Sequence, residues 1–528
     1  MCNSKVLTRF FYTIFQTKHI FYKYLIEMTM KKLIFFLALT ILYNANAQNG
    51  TDALRYSFLQ QGSGTGRTMG VAGATGALGA DFSALSGNPA GLAAYRTSEF
   101  MITPGYYTSN VRSKLQGDAT NVAQVENSAK FHLNNIGVVF ANHPNKQNWT
   151  TSNFALGINR LANFNNSFYY KGKSEGSIIN RFQENANRGN SLNSFEESLA
   201  VEANAIYASG IVGNVYASDF DGSQNAVISR TQEGAISGRI TELTAGYGAN
   251  YKDKLMIGAS IGIPFASYNE VKAYSESDPE SLDGKTVGAV PYFKSLSFQE
   301  NLAQSGAGIN VKLGLIFIPT QNLRVGLSGQ TATLYKMTDI YTTSFNYTYI
   351  DKKGLSSNDA KSPDGAFDYT IRTPQKVTGS LAYLFGKKGF ISADVDMVDY
   401  STMSLQFDKD KSLQNEVNQN IVNDYQSAVN VRIGTEYVMD IFRFRAGVAT
   451  LGLPSKGYED RSYFYNASKL FSAGAGIREN RFYADLAYQI AHSNTTETPY
   501  LVSTNYSQPT IARSRTNSQL VLTVGFKF

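Results

Sequence analysis

The chain has 528 residues, of which 48 are Lys or Arg and 41 are Asp or Glu, and its mean hydropathy is −0.23. Most of the positive excess lies in residues 1–47; the remaining 42 basic and 40 acidic residues give no reason to expect a nucleic-acid partner. The only cysteine is Cys2, which excludes a disulfide framework and a cysteine nucleophile from the rest of the chain.

Residues 28–47 have the order of a secretory signal peptide. Two lysines precede an apolar run over residues 33–43, and small residues follow it. This run is too short to span a bilayer as a helix. We therefore expect a leader over residues 1–47, with translation starting at Met28 or Met30, and an exported mature chain.

A segment rich in Gly, Ala and Ser follows the leader, before any convincing strand. Residues 62–76 suggest a nucleotide-binding glycine loop, but the glycines do not have the spacing G-x-G-x-x-G and no strand–helix–strand pattern surrounds them. Further on, SGNPAG predicts a tight turn: Asn88 can bond its own backbone, Pro89 presets φ and Gly91 permits a left-handed conformation. We expect residues 48–97 to form a compact plug, or hatch, inside a barrel lumen. A flexible linker is the alternative.

Alternation with a period of two residues dominates the chain from residue 98 onward. Residues 309–317 place Ile, Val, Leu and Phe on one face and Asn310 and Lys312 on the other, and residues 390–397 and 481–488 divide in the same way. Segments of about ten residues have the length with which a tilted strand crosses a bilayer. The second face mixes charges with Gly and Ser, as expected of an enclosed polar lumen.

The connections between these segments alternate between short and long. The short turns lie at 142–148, 252–254, 319–322, 386–389, 439–440 and 478–480, and the long loops at 109–129, 162–235, 269–302, 336–365, 406–425, 452–467 and 492–515. This order predicts an all-β fold: a 14-stranded antiparallel transmembrane β-barrel over residues 98–528, with both chain ends on the short-turn side and an N-terminal hatch plugging the lumen. An even number of strands lets the barrel close without an exposed edge. The terminal strand ends on Phe528, which resembles the signal read by the machinery that inserts outer-membrane barrels.

Opposite charges are predicted to face each other inside the barrel. The alternation directs these side chains into the lumen: Asp394, Asp396, Glu436, Asp485, Arg324, Arg432, Arg443 and Arg445. Two interpretations stay open: ion pairs between wall and hatch, or arginines that hold a ligand carboxylate, for which Arg432, Arg443 and Arg445 are the candidates. The scattered histidines form neither a metal-ligand pattern nor a catalytic constellation. We predict no catalytic residue, no metal, no cofactor and no enzymatic activity.

The longest loop predicts an external amphipathic helix. Ser194 and Glu197 have the spacing of a capping box, and apolar residues from Phe195 to Tyr207 follow at helical intervals. Such a helix either covers an apolar entrance or stabilises the loop. Beside the first short turn, Trp149 is predicted to anchor the barrel rim at the membrane interface.

Residues 66–93 resemble the hatch of the FadL/TodX family of outer-membrane transporters of hydrophobic compounds. The family's Asn-Pro-Ala motif is matched here by Asn88, Pro89 and Ala90. The resemblance continues weakly through the last strand pairs, so that it covers nearly all of the mature chain, and the hatch motif is its specific part.

This resemblance implies passive uptake of long-chain fatty acids or other hydrophobic compounds, gated by the hatch, with a side exit at a kink in the third strand. By position that strand is residues 152–162, and Gly157 is the candidate kink. The expected partners are a fatty acid or aromatic hydrocarbon, outer-membrane lipid and the insertion machinery, and we expect a monomer. The alternative is a PorV-like barrel that serves as a docking component of a protein secretion apparatus and carries a similar Asn-Pro-Ala-Gly segment.

Overall fold

A closed antiparallel sheet forms the wall of the molecule. The computed structural model describes residues 50–59, 63–144, 148–189, 191–209, 216–278, 289–456, 463–465, 468–503 and 507–528. The sheet closes where the first strand pairs with the last, with Glu99 opposite Lys527 and Leu115 opposite Ile511. The path around the barrel passes through fourteen wall strands, which confirms the predicted architecture. The predicted leader lies outside the described residues.

Several wall strands are interrupted and therefore carry two labels. In chain order the strands are β1 Glu99–Leu115, β2 Gln124–Phe140, β3 Trp149–Asn163, β4 Asn166–Glu175, β5 Ile206–Ala208, β6 Tyr216–Ser218, β7 Val227–Tyr251, β8 Leu255–Ser277, β9 Phe293–Phe317, β10 Leu323–Gln330, β11 Leu334–Asp351, β12 Gly354–Lys361, β13 Gly365–Arg372, β14 Lys376–Leu384, β15 Gly389–Asp399, β16 Ser404–Phe407, β17 Ser427–Met439, β18 Phe442–Leu451, β19 Tyr463–Tyr465, β20 Ser468–Arg478, β21 Phe482–Glu497 and β22 Ile511–Lys527.

Helices are few and short in the part of the chain that the structure describes. The α-helices are α1 Gly50–Ser57, α2 Gly66–Gly70, α3 Ile178–Arg188, α4 Glu197–Glu202 and α5 Lys411–Asp424, and 3₁₀ turns cover Phe82–Leu85, Pro89–Ala94 and Tyr400–Thr402. Among the described residues, no helix has the length and apolar character needed to cross a membrane.

The alternation predicted for the wall is confirmed. Leu313 and Met397 face outward with 61% and 63% of their surface exposed, whereas the neighbouring Lys312 and Asp396 are buried in the interior. Strand pairing in a closed sheet provides partners for the backbone groups that face lipid, and the apolar outer side chains suit contact with the bilayer. The described chain is thus a transmembrane barrel of the outer-membrane type.

The strands β7, β8 and β9 are much longer than the predicted ten residues, with 25, 23 and 25 residues. Their outer ends occupy much of what the sequence indicated as long loops. A second apolar core lies there, because α3 and α4 pack on this extended sheet; the ring of Phe182 lies 5.5 Å from that of Phe298 and 5.7 Å from that of Phe345. Burial beneath these helices keeps the strands paired beyond the bilayer.

The predicted external helix is shorter than expected and begins later. The α4 helix starts at Glu197, and Tyr207 lies in β5. The physical reason is a local turn: the Asn193 side chain accepts from the Phe195 amide at 2.9 Å, and Glu197 accepts from the Asn193 amide at 2.9 Å. Asn193, not Ser194, therefore organises the start of this segment.

Candidate functional site

The Asn-Pro-Ala segment of the hatch lies inside the lumen and is tied to the wall. Asn88 begins the 3₁₀ turn Pro89–Ala94: its Oδ1 accepts from the Ala90 amide at 3.1 Å, and its Nδ2 donates to the Gly76 carbonyl at 2.7 Å and to Leu315 O of β9 at 3.3 Å. One amide thus joins two hatch segments to a wall strand. Gly91 does not adopt the left-handed conformation that glycine permits, because it lies within the 3₁₀ turn.

Wall glycines let the hatch backbone approach closely. A Cβ on Gly258 would lie 2.3 Å from the carbonyl carbon of Pro89, and a Cβ on Gly314 would lie 1.9 Å from Asn88 Oδ1. The same close approach occurs at Gly248, Gly326, Gly434 and Gly447. The high glycine content of the barrel therefore follows in part from packing against the plug.

Replacing Asn88 with Ala should loosen the hatch without unfolding the barrel. The loss of a helix cap costs about 1 kcal/mol, and the buried Gly76 carbonyl loses its side-chain donor at a further cost of about 1–3 kcal/mol. The measurement is the rate of proteolysis within residues 63–97 of the detergent-solubilised protein, which we expect to rise. The matched control is Asn110→Ala, whose amide bonds only Asn127 on the exposed outer part of the barrel. Equal hatch cleavage in N88A and wild type would contradict this role.

A buried charge cluster lies between wall and hatch. Arg445 donates to Glu436 at 2.6 Å and to Asp485 at 2.7 Å, and its side chain has no exposed surface. Arg478 also contacts Asp485 at 2.8 Å, and Arg67 of the hatch lies 3.8 Å from Glu436. The contact between Arg67 and Glu436 joins hatch to wall, as expected if the lumen charges form ion pairs between them.

Backbone groups of the hatch supply further partners for wall charges. Asp394 accepts from the amides of Thr75 and Gly76 at 3.1 and 3.0 Å, and Arg324 donates to the Leu78 carbonyl at 2.5 Å. Each contact desolvates a wall charge and replaces water with a fixed hatch dipole.

The three arginines predicted to bind a carboxylate lie apart. Arg445 belongs to the cluster described above, Arg432 pairs with Asp396 of the wall, and Arg443 donates to the carbonyls of Asp440 and Phe442 at the short turn. The structure does not bring them together, and a role for any of them in ligand binding stays a prediction.

Asp81 organises the hatch internally. Its carboxylate accepts from the hydroxyls of Thr65 and Thr68 at 2.7 and 3.0 Å and from the Ser83 amide at 2.9 Å. Burial alone would raise the pKa of Asp81, but Arg67 and these hydrogen bonds outweigh it and lower the pKa. The stabilisation is therefore present above the ordinary pKa of an aspartate and is lost as the pH falls through the lowered value.

A cavity of about 410 Å³, called here the outer cavity, lies between α1 and the external part of the barrel. Leu54 of α1 and Phe58, which follows this helix, contribute apolar surface, as do Leu161 and Phe164 near the junction of β3 and β4. Its volume is within the range of small-molecule sites. Arg181 of α3 also lines the cavity, so the external segment between β4 and β5 contributes directly to it.

Charged side chains of α1 and the external loop line the outer cavity as pairs. Arg55 lies 2.5 Å from Asp52, and its guanidinium carbon lies 4.0 Å from the ring centre of Tyr268. Arg181 donates to both carboxylate oxygens of Glu196 at 2.6 and 2.7 Å. Burial raises the pKa of Glu196, and Arg181 opposes this rise.

Two more pairs come from the outer ends of wall strands. Lys272 lies 3.3 Å from Glu300, which also accepts from the Tyr341 hydroxyl at 3.0 Å. Arg513 lies 2.5 Å from Glu497. Four cationic side chains of the outer cavity thus already have carboxylate partners.

A second cavity of about 260 Å³, the inner cavity, lies between the end of α1 and the body of the hatch. Leu59 and Leu161 line both cavities. Within α1, Leu54 and Tyr56 are buried in a large apolar cluster that includes Ile421 and Tyr425 at the outer end of the barrel. The α1 segment therefore separates the two cavities.

The barrel wall departs from continuous pairing beside the outer cavity. The ladder between β2 and β3 extends only as far as Asn135 opposite Asn159, although β2 pairs with β1 as far as Gln124. Beyond this point Arg160 donates to the Leu133 carbonyl at 3.2 Å, and Lys130 donates to Asn165 at 3.2 Å. We call the stretch between residues 124–134 of β2 and the end of β3 the wall gap.

Gly157 lies below the wall gap and keeps regular pairing with Gly137 and Thr244. A Cβ at this position would lie 2.5 Å from the ring of Phe82 in the hatch. The two irregularities in the pairing of β3 with β7 lie elsewhere, between Trp149 and Thr151 and between Arg160 and Ala162. In the structure Gly157 therefore provides space for a hatch side chain.

Comparison with solved structures identifies this architecture. A FadL homologue from Pseudomonas aeruginosa is 12% identical to the chain, with a TM-score of 0.50 over 89% of this chain and 99% of that chain. This chain has the FadL-type fold. Two further structures are similar: the toluene transporter TodX from Pseudomonas putida (12% identity, TM-score 0.48, 89% of this chain and 100% of that chain) and the toluene transporter TbuX from Ralstonia pickettii (16%, 0.47, 89% and 99%). No protein-family model and no curated protein matches the sequence.

Within this FadL-type fold, reasoning from sequence missed the residues of the outer cavity. Alternation tells which face of the wall a side chain occupies but not its height along the barrel axis. One usable signal was present in α1, where Asp52 and Arg55 are three residues apart and share a helix face. Glu300 and Tyr341 fall in segments that the sequence predicted as long loops. Only the observed strands β9 and β11 bring these two side chains together.

Proposed function

We propose that this barrel mediates passive uptake of hydrophobic compounds across the outer membrane. A compound enters the outer cavity from the external side, and α1 with the rest of the hatch controls its further passage. The wall gap provides a side exit into the bilayer. One observation carries this proposal: the outer cavity is bordered both by α1 and by residues 161–164, where β3 leaves β2.

Aromatic contacts connect the gate to the exit. The ring of Tyr56 in α1 lies 6.1 Å from that of Phe164, which in turn lies 5.6 Å from Tyr268 of β8. A shift of α1 therefore changes the packing of the residue that follows the last pair of β3. On the other side of the gap Phe131 has 82% of its surface exposed, which provides an apolar edge toward lipid.

The driving force is transfer of apolar surface from water, about 25 cal/mol per Å² of area buried. Neither an energy source nor a covalent step is needed. A docking role in protein secretion would require neither the outer cavity nor the wall gap, so experiments on these two features separate the alternatives.

A reversible cross-link across the wall gap should block uptake. Cysteines at positions 133 and 160 (Leu133→Cys with Arg160→Cys) join β2 to β3 where Arg160 contacts Leu133 O. After oxidation we expect uptake of radiolabelled dodecane to fall about tenfold, a block of about 1.4 kcal/mol, and to recover on reduction. The host should be a strain without its own hydrophobic-compound channels.

The matched control is Ile136→Cys with Ile158→Cys, a pair that already faces each other in the ladder. This cross-link should leave uptake unchanged. If oxidised L133C/R160C cells take up dodecane at the rate of reduced cells, the side exit is elsewhere.

A further inference from the structure

The outer cavity combines paired charges with neutral polar groups that have no partner. Five cationic and five anionic side chains line it, and four of the cations are in the ion pairs described above. Arg515 is the one lining cation without an ion pair among the residues that the structure describes, and Glu270 is the carboxylate left over. The lining therefore has no net charge.

Three buried amide oxygens in this lining accept no hydrogen bond from the described residues. They belong to Gln232, Asn166 and Asn517, which are 4%, 7% and 7% exposed. The amide nitrogen of Asn166 is occupied, since it donates to the Phe164 carbonyl at 2.9 Å, so that its oxygen is the group left over. A buried acceptor without a donor costs about 1–3 kcal/mol, and a ligand that donates hydrogen bonds would recover this cost.

We infer that the outer cavity selects an uncharged amphiphile, with an apolar body and a head group that carries hydroxyl donors. This inference rests on the proposed uptake of hydrophobic compounds and specifies the class of compound. A carboxylate has no hydrogen to donate to the three amide oxygens. Its charge would also have to compete for cations that already bind carboxylates, while its own hydration is lost.

The apolar and polar surfaces of the cavity suit the two ends of such a molecule. Leu54, Leu161 and Ile236 provide apolar surface beside α1 and the wall gap, and the amide groups of Gln232 and Asn517 provide polar surface in the same cavity. The apolar body would then lie beside α1 and the head group against the amides. A hydrocarbon fills only the first of these surfaces.

The test is a comparison of three radiolabelled probes of equal chain length: 1-dodecanol, dodecanoate and dodecane. Binding is measured on the full-length protein in nanodiscs, at about pH 8 where dodecanoate is ionised, and empty nanodiscs are subtracted to remove partitioning into lipid. We expect 1-dodecanol to have a dissociation constant about tenfold or more below those of the other two probes.

Two variants make the test specific. Gln232→Leu removes an acceptor and should weaken 1-dodecanol about tenfold without weakening dodecane. Glu300→Gln removes the carboxylate that pairs with Lys272 at 3.3 Å, so that only Coulombic interactions with Glu270 and Glu497 remain, and should strengthen dodecanoate, whereas 1-dodecanol keeps its affinity. The matched control is Asp253→Asn, which removes the partner of exposed Arg96 at a periplasmic turn and should change no probe.

Each other result overturns the inference in a distinguishable way. Tight dodecanoate binding that Arg515→Gln abolishes would identify Arg515 as a carboxylate site. Dodecane that binds as tightly as 1-dodecanol would remove the role of the amides but leave hydrophobic uptake intact. If no probe binds above the empty nanodiscs, the proposed function itself fails.

Discussion

Replacing Arg445 with Met is expected to lower the free energy of unfolding of the barrel by about 3–5 kcal/mol. The guanidinium is fully buried and joins Glu436 of β17 to Asp485 of β21 at 2.6 and 2.7 Å. Without it both carboxylates lose a partner in an interior that water reaches poorly. Urea unfolding in detergent micelles, followed by tryptophan and tyrosine fluorescence, measures the change.

A second variant separates the loss of the ion pair from general damage to packing. In R445M/E436Q the Glu436 charge is removed, while Asp485 keeps Arg478 at 2.8 Å. We expect this double variant to be more stable than R445M, because it removes the buried Glu436 charge, whose remaining cationic partner in R445M is Arg67 at 3.8 Å. The surface control is Arg96→Met, which removes an exposed pair with Asp253 and should cost less than about 1 kcal/mol. R445M with wild-type stability would show that the cluster does not hold the wall.

The wall of the barrel could be predicted because strand alternation is a local property. Whether Lys312 points inward depends only on its position between the outward-facing Val311 and Leu313. Counting such alternating segments gives an even number of strands, which allows the sheet to close. The resemblance of residues 66–93 to a known hatch placed the plug in the lumen. Both kinds of prediction apply to Asn88: the local pattern predicts that it caps a turn, and the resemblance places it in the hatch. In the structure it caps the turn and also bonds a wall strand.

The length of the strands and the position of the outer cavity could not be predicted, because both depend on packing between distant segments. The outer end of β9 stays paired under α3, and the alternation of Leu296 and Phe298 with Ser295 and Ser297 is too short to show how far the strand extends. In the same way the sequence around Gly157 could not show that the ring of Phe82 in the hatch occupies the space of a side chain at this position, and a kink there stays a prediction. Contacts of this kind join residues about 75 or more positions apart.

Deleting residues 48–60 is expected to abolish most hydrophobic uptake while the barrel still assembles. The deletion removes α1, which separates the outer from the inner cavity, together with Leu54 and Phe58, two apolar residues that line the outer one. The hatch from residue 63 onward keeps its contacts with the wall, for example the bond of 2.7 Å from the Gly66 amide to Thr523. Uptake of radiolabelled 1-dodecanol and dodecane by whole cells, with barrel folding checked by heat-modifiable migration on gels, measures both parts.

Because the deletion lies beside the predicted leader, a full-length variant provides an independent measurement. Leu54→Ala with Phe58→Ala removes two apolar side chains of the outer cavity and should weaken the binding of both probes by about 2 kcal/mol or more, because less apolar surface of each probe is then buried. The control is Val422→Ala on the exposed face of α5, where the residue is 49% exposed and lines neither the outer nor the inner cavity. Unchanged binding and uptake in L54A/F58A would remove α1 from the transport path, because its side chains form the boundary that a ligand must pass.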